Sequence, residues 1–201
     1  MNRPVFLDQP QLPTTMAAEG MPRRRFTVAE LEAMTEAGIL LEDERIELIG
    51  GEIVPMSPKG ARHEVIKTAL TFRWIKRCPV GYFVATETGL RLDEHTYLEP
   101  DLVICRERED ISKLQGPEVL LAVEVADSSL GYDLDRKPLL YAQFGVRELW
   151  VIDAKRRLVH VHLRPEAGRY ALTSVHGASE RLQPSEAPPD FAIALDDLKS
   201  R

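Results

Sequence analysis

The sequence predicts a mixed α/β fold, a mixed β-sheet flanked by helices, with an N-terminal helix and a β-hairpin added before it. Three observations carry this: the nearly all-apolar segment VLLAVEVA (119–126), a helical pattern after it that reaches Phe144-Gly145, and a second strand-like segment, ELWVIDA (148–154). An almost uniformly apolar strand is one covered on both faces. A strand, helix and strand in that order form a right-handed crossover, which sets the two strands parallel in one sheet with the helix packed on it.

The elements follow in order. The leader MNRPVFLDQPQLPTTMAAEG is rich in proline and small polar residues, so residues 1–25 are expected to form a flexible arm before one domain spanning 26–198, and Met16 and Met21 are alternative starts. In FTVAELEAMTEAG, Thr27 stands as N-cap, Glu30 completes a capping box, and Phe26 with Leu31 forms a hydrophobic staple, so a short helix should end at Gly38. RIELIGGEIVPMS alternates at Ile46 and Leu48, turns at Gly50-Gly51 and resumes at Ile53, as a hairpin does. GARHEVIKTALTFRWIKR has apolar residues near helical spacing at Val65, Ile66, Ala69 and Leu70 and no internal proline, which predicts the first long helix. YFVATE, the segment around TGLRL, and EPDLVIC, which begins at a proline, read as strands. After ELWVIDA, the alternating segments RRLVHVHLR and RYALTSVH join through residues 165–168 as a second hairpin that extends the sheet, and the chain closes with proline-rich turns and a short DDLK end.

Composition narrows the function. The 201 residues suit one domain or one domain with an appendage, and 44% hydrophobic with 29% charged residues excludes disorder, collagen and a coiled-coil rod for the whole. Aromatic residues at 6% leave few rings for stacking bases. A net charge of −6 excludes a chain coated in basic residues, though not a local basic face. Cys78 and Cys105 cannot supply a four-cysteine zinc site or a disulfide framework, and reduced thiols in a cytoplasm are the simplest reading. No window approaches ~18 consecutive apolar residues, and the leader lacks a secretory apolar core, so the expectation is a cytoplasmic protein with no membrane partner.

The chemistry starts from Glu124, an acid inside an apolar strand, where an ionised carboxylate costs several kcal/mol unless something compensates it. Asp101 heads another strand; if the two strands are neighbours, the carboxylates converge at one edge of the sheet. Two acids at ~4 to 6 Å repel each other unless a divalent cation sits between them. A hard, oxygen-preferring ion such as magnesium takes one or two carboxylates, keeps several waters and binds a phosphate oxygen, which outlines phosphodiester chemistry. The plainer alternative is that Glu124 ends a strand or pairs with a neighbouring cation.

Glu99-Pro100-Asp101, then V-E-V-A-D-S-S around Glu124, then Tyr132-Asp133-x-x-x-Lys137 and Tyr141, resemble the Uma-type restriction endonuclease family of the PD-(D/E)XK nuclease superfamily. ELIGGEIVPMSPKGARH before them and GVRELWVID after them are similar too, so the resemblance covers roughly residues 26–198. It implies a restriction endonuclease-like core, with Asp101 and Glu124 as metal-binding acids and the Val125 carbonyl completing the ligands of Mg2+ or Mn2+. The superfamily lysine two residues after the glutamate is Ala126 here, and Lys137 stands where the family carries a relocated lysine, on the next helix. Glu47 and His63 also match: Glu47 as a third acid or a holder of a basic neighbour, His63 as a phosphate contact or simply a capping residue. Ser128 and Asp133 are expected to order the turn and cap the helix that presents Lys137, and Tyr141 to pack.

The segment from Ser57 to Arg77 is locally basic, so Lys59, Arg62, Lys67 and Arg73 are candidate DNA contacts, with Lys76, Arg77 and the Arg23-Arg24-Arg25 run beside them. Helix surfaces are usually charged, and these residues need not share one side. The leading reading is a metal-dependent endonuclease acting on DNA. The alternative is a catalytically inactive module of the same fold that binds nucleic acid or a protein partner. Another class of hydrolase is disfavoured because no G-x-S-x-G, H-E-x-x-H or glycine-rich phosphate loop occurs. Cutting both strands of a duplex takes two sites or two encounters, so a homodimer is expected.

Overall fold

Thr27 caps α1 (Val28–Glu36): its hydroxyl accepts from the Glu30 N–H at 3.1 Å, and the Glu30 carboxylate accepts from the Thr27 N–H at 3.0 Å. The computed structural model describes residues 23–41 and 43–198, so positions 1–22 of the expected arm lie outside the described residues. Gly50 and Gly51, at φ +60° and +91°, join β1 (Ile46–Ile49) to β2 (Glu52–Pro55), both in the left-handed region that a two-residue hairpin turn demands.

α2 (Ala61–Arg77) buries His63, Ile66, Leu70 and Trp74, a seam at three- and four-residue spacing. Val65, expected on that seam, is 51% exposed, because one residue is ~100° of helix rotation away from Ile66. Next come β3 (Tyr82–Thr86), β4 (Leu90–Asp93), β5 (Thr96–Leu98), β6 (Leu102–Arg106) and β7 (Val119–Ala126). The sequence gives no separate signal for β5, whose three residues are too few to show a period. β4 and β5 pair with the N-terminal hairpin to make a four-stranded sheet, β2-β1-β5-β4, rather than joining the main one.

After β7 the expected crossover helix is two, α3 (Leu130–Asp135) and α4 (Lys137–Gln143), interrupted at Arg136. Pro138 has no N–H to donate and crowds the turn before it, so one continuous helix cannot run through. β8 (Glu148–Asp153), β9 (Leu158–Glu166) and β10 (Arg169–His176) complete a six-stranded sheet, β10-β9-β8-β7-β6-β3. β7 and β8 are parallel, with Glu124 opposite Val151, as the crossover predicts; the other neighbours in this sheet are antiparallel.

All eight residues of β7 are buried because both faces are covered. Leu121, Val123 and Val125 face a core with Ile66, Leu70 and Trp74 of α2, while Val119, Ala122 and Ala126 face the opposite core with Tyr141 of α4 and Leu90 of β4. Glu124 shares the period of Ala122 and Ala126 and therefore points toward α4.

Candidate functional site

Leu102 of β6 lies opposite Val123 of β7, so the next positions along the antiparallel pair put Asp101 beside Glu124 at the sheet's edge. Asp101 precedes Val103 and Cys105 on the same alternating face, the face of Ala122 and Ala126, so both carboxylates project to one side. The N-termini of α2 and α4 bring His63 and Lys137 to this edge. Together they line a cavity of about 290 Å³ that also includes Glu47, Lys59, Ser128 and Asp133.

Around Asp101, His63 Nε2 is 2.9 and 3.0 Å from the two carboxylate oxygens, the Val125 N–H donates to Oδ2 at 2.8 Å, and Lys59 Nζ is 3.5 Å from Oδ1. Burial opposes ionisation, but the hydrogen bond and charge of His63, the Val125 N–H and Lys59 outweigh it and hold this carboxyl below its ordinary range. Around Glu124, Oε1 accepts from Lys137 Nζ at 2.9 Å and from the Tyr141 hydroxyl at 2.6 Å. Among the described residues Oε2 accepts from none, which leaves it for a ligand. Burial pushes the Glu124 carboxyl up to about 8 against the pull of Lys137, with Asp101, Asp133 and Glu47 adding like charge.

Lys137 is held by three acids: Glu124, Glu47 at 3.2 Å and Asp133 at 3.9 Å. Burial favours the neutral amine, but these carboxylates prevail and keep the ammonium charged well above the ordinary lysine range. Glu47 reaches the site from β1, where it holds the basic neighbour, and also accepts from the Glu99 N–H at 3.2 Å.

The donor set suits a hard cation. Glu47, Asp101, Glu124 and Asp133 are four buried acids around this cavity, and the Glu124 carboxyl is raised first by burial and further by the like charge of Asp101, Asp133 and Glu47. The Tyr132 hydroxyl, in the cavity lining, is buried without a hydrogen-bond partner among the described residues. Such an orphaned group is normally satisfied by water or a ligand. Among the described residues no three of His, Cys, Asp or Glu form a ready-made cage. Magnesium does not require one, since one or two carboxylates and several waters suffice.

Several expectations change. Tyr141, expected to pack, donates to Glu124; its place one helical turn after Lys137 was the available signal, because positions i and i+4 share a face. Ser128 lines the cavity, but the hydroxyl that donates to Asp133 is that of Ser129, which stands four residues before it at the start of α3. The basic candidates do not form one phosphate-tracking stripe. Lys67 pairs with Glu64 and Glu87 at 3.1 and 3.0 Å, and Arg73 with Asp197 at 3.2 Å. Lys59 pairs with Glu87 and Asp101 at the cavity. Arg62 is exposed near the cavity mouth, 3.7 Å from Asp127. In the arginine run, Arg23 pairs with Glu52, Arg24 with Glu30, and Arg25 donates to the Gly50 carbonyl. Among the described residues, no helix is long and apolar enough to cross a membrane.

Over residues 28–196 the sequence matches the Uma2 family, described as "Putative restriction endonuclease". A solved structure described as "a putative nuclease belonging to DUF820 from Anabaena variabilis ATCC 29413" matches with a TM-score of 0.57 at 16% identity, covering 76% of this chain and 88% of that one. This likeness bears out the restriction endonuclease-like fold expected from the sequence. No curated protein matches the chain.

Proposed function

Because this chain belongs to the Uma2 family, we propose that it is a nuclease, and more finely a metal-dependent endonuclease that hydrolyses phosphodiester bonds in DNA. The observation that carries this reading is the position of Lys137. Position 126 holds alanine, and a buried ammonium from α4 instead stands 2.9 Å from Glu124, in the same cavity as Asp101.

Asp101 and Glu124, with the Val125 carbonyl, would hold Mg2+ or Mn2+. Bound there, the ion supplies a Lewis acid for a phosphoryl oxygen and lowers the pKa of bound water. The chain's own residues do the rest. Tyr141 and Lys137 both bind Oε1 of Glu124, which orients the carboxylate and keeps Oε2 for the ligand. His63 and the Val125 N–H fix Asp101 in its ionised form. Lys137 places fixed positive charge in a site where water is scarce, so charge developing on the phosphate is stabilised without reorganisation. Glu47 and Asp133 keep that ammonium charged and in place. Arg62, and Lys59 once released from Glu87, are placed to meet backbone phosphates, contacts that position a duplex without reading its sequence.

One observation favours the inactive module: Lys137 and Asp101 are already saturated by protein partners. Plasmid nicking separates the two readings. Wild type and Glu124→Gln, prepared identically, are incubated with supercoiled plasmid and Mg2+, Mn2+ or chelator. The endonuclease reading expects metal-dependent nicking that the variant lacks. Binding of DNA with no nicking under either ion would favour the module, and equal nicking by both proteins would remove Glu124 from the chemistry.

A further inference from the structure

Lys59 lies on the loop between β2 and α2, and its ammonium meets two carboxylates: it pairs with Glu87 and stands 3.5 Å from Oδ1 of Asp101. A carboxylate offers about four lone-pair positions. On Asp101 the Val125 N–H and His63 engage Oδ2, and His63 and Lys59 engage Oδ1, so a divalent ion gains this acid only where a donor leaves. The three donors differ in their freedom to do so. The Val125 N–H belongs to the backbone of β7, held between β6 and β8. His63 is buried, and its Nδ1 is 3.1 Å from Glu64. Of the three, Lys59 alone combines a flexible carbon stem with a second carboxylate already in contact.

Given the metal site proposed at Asp101 and Glu124, on which this reading rests, we propose that the Lys59 ammonium occupies Asp101 in place of the metal and that Glu87 is the seat to which it withdraws when the ion binds. Glu87 is thus a positioning residue, acting on the metal through Lys59. Its place is fixed from two sides: its N–H donates to the Asp101 carbonyl at 3.2 Å, and Lys67 of α2 donates to its carboxylate at 3.0 Å. The bond from Lys59 and that from Lys67 outweigh burial and keep the Glu87 carboxyl below its ordinary range, so the seat is an anion. An ammonium beside Asp101 and a divalent ion on the same acid repel each other, so the two compete. Withdrawal leaves no charge unpaired: the ion neutralises Asp101, and Lys59 stays on Glu87.

Mn2+ alone, titrated into the full chain and followed as free ion by electron paramagnetic resonance, tests this without DNA or turnover. Lys59→Met should tighten Mn2+ binding by about tenfold, as when one molecule in ten has its site open before the change. Glu87→Gln should weaken it about fivefold, because the ammonium then has no second anion to receive it. The double variant should bind as Lys59→Met does, since Glu87 acts only through Lys59, and this recovery also shows that the Glu87→Gln protein is folded. Unchanged or weaker binding by Lys59→Met would overturn the proposal. A double variant in which the two single effects simply multiply would remove Glu87 as the seat and leave only the summed field of two charges. Glu124→Gln separates this from failure of the metal site. Loss of binding in that variant with no effect of Lys59→Met would keep the site and remove the role of Lys59. Binding by Glu124→Gln equal to wild type, or no binding by wild type and Lys59→Met alike, would remove the site and the proposal together.

Discussion

Lys137→Met removes the one cation that Glu124, Glu47 and Asp133 share, and its cost can be worked from the geometry. With an effective dielectric of ~20, separations of 2.9, 3.2 and 3.9 Å give roughly 6, 5 and 4 kcal/mol of attraction. Desolvating the ammonium offsets several kcal/mol of this, and removal of one partner from a buried ionic cluster typically costs about 3–5 kcal/mol net. The loss should lie near ~3 kcal/mol at neutral pH, at the lower end of that range, because Glu124, pushed up to about 8, is already largely protonated there and leaves Glu47 and Asp133 as the charges Lys137 balances. The sign with pH follows. Acids whose folded pKa is raised bind more protons in the folded state, so the variant's deficit should grow as pH rises from about 5 to 9. Urea unfolding of wild type and variant at pH 6 and pH 8 measures it. Adding Glu124→Gln to Lys137→Met should restore part of the loss, since the second change removes a carboxylate left without its counter-charge. A loss below about 1 kcal/mol at both pH values would refute the assignment of Lys137 as the shared counter-charge.

Two further outcomes follow from single groups. Tyr141→Phe keeps the fully buried ring but deletes the donor at 2.6 Å from Glu124, so unfolding free energy at neutral pH should fall by about 1 kcal/mol, as for a hydrogen bond to a mostly neutral carboxyl; a loss under ~0.5 kcal/mol would show that the hydroxyl does not support the carboxyl. Burial, with His160 adding like charge, lowers the His162 pKa to about 4, and its Nε2 has no hydrogen-bond partner among the described residues. Below its ordinary pKa of 6.5 the unfolded chain binds the proton and the folded one does not, so stability should fall from pH 6.5 toward 4 by up to about 1.4 kcal/mol per unit. Denaturation midpoints of His162→Gln should fall less steeply over this range, and parallel curves would remove the buried imidazole as the cause.

The features legible in the sequence are those governed by neighbours along the chain. Thr27 with Glu30, the Gly50-Gly51 turn and the strand, helix and strand order of residues 119–153 each follow from local hydrogen bonding, backbone freedom or crossover handedness, and each appears in the structure. The spacing of Asp101, Glu124 and Lys137 was equally visible through a family resemblance. Tertiary structure decided what those groups touch. Only strand register puts Asp101 beside Glu124, and only the packing of α4 turns Lys137 and Tyr141 onto the same carboxylate oxygen. Only the docking of α2 against the sheet leaves Val65 outside while burying Ile66 next to it. Lys59, Lys67 and Arg73 read as free basic residues in the sequence, yet carboxylates 20 to 124 positions away compensate them, at Glu87, Asp101 and Asp197. A charge acts over a few ångströms in any direction, whereas a sequence pattern records only neighbours along one line; the elements were therefore readable early and the electrostatics of the site only after folding.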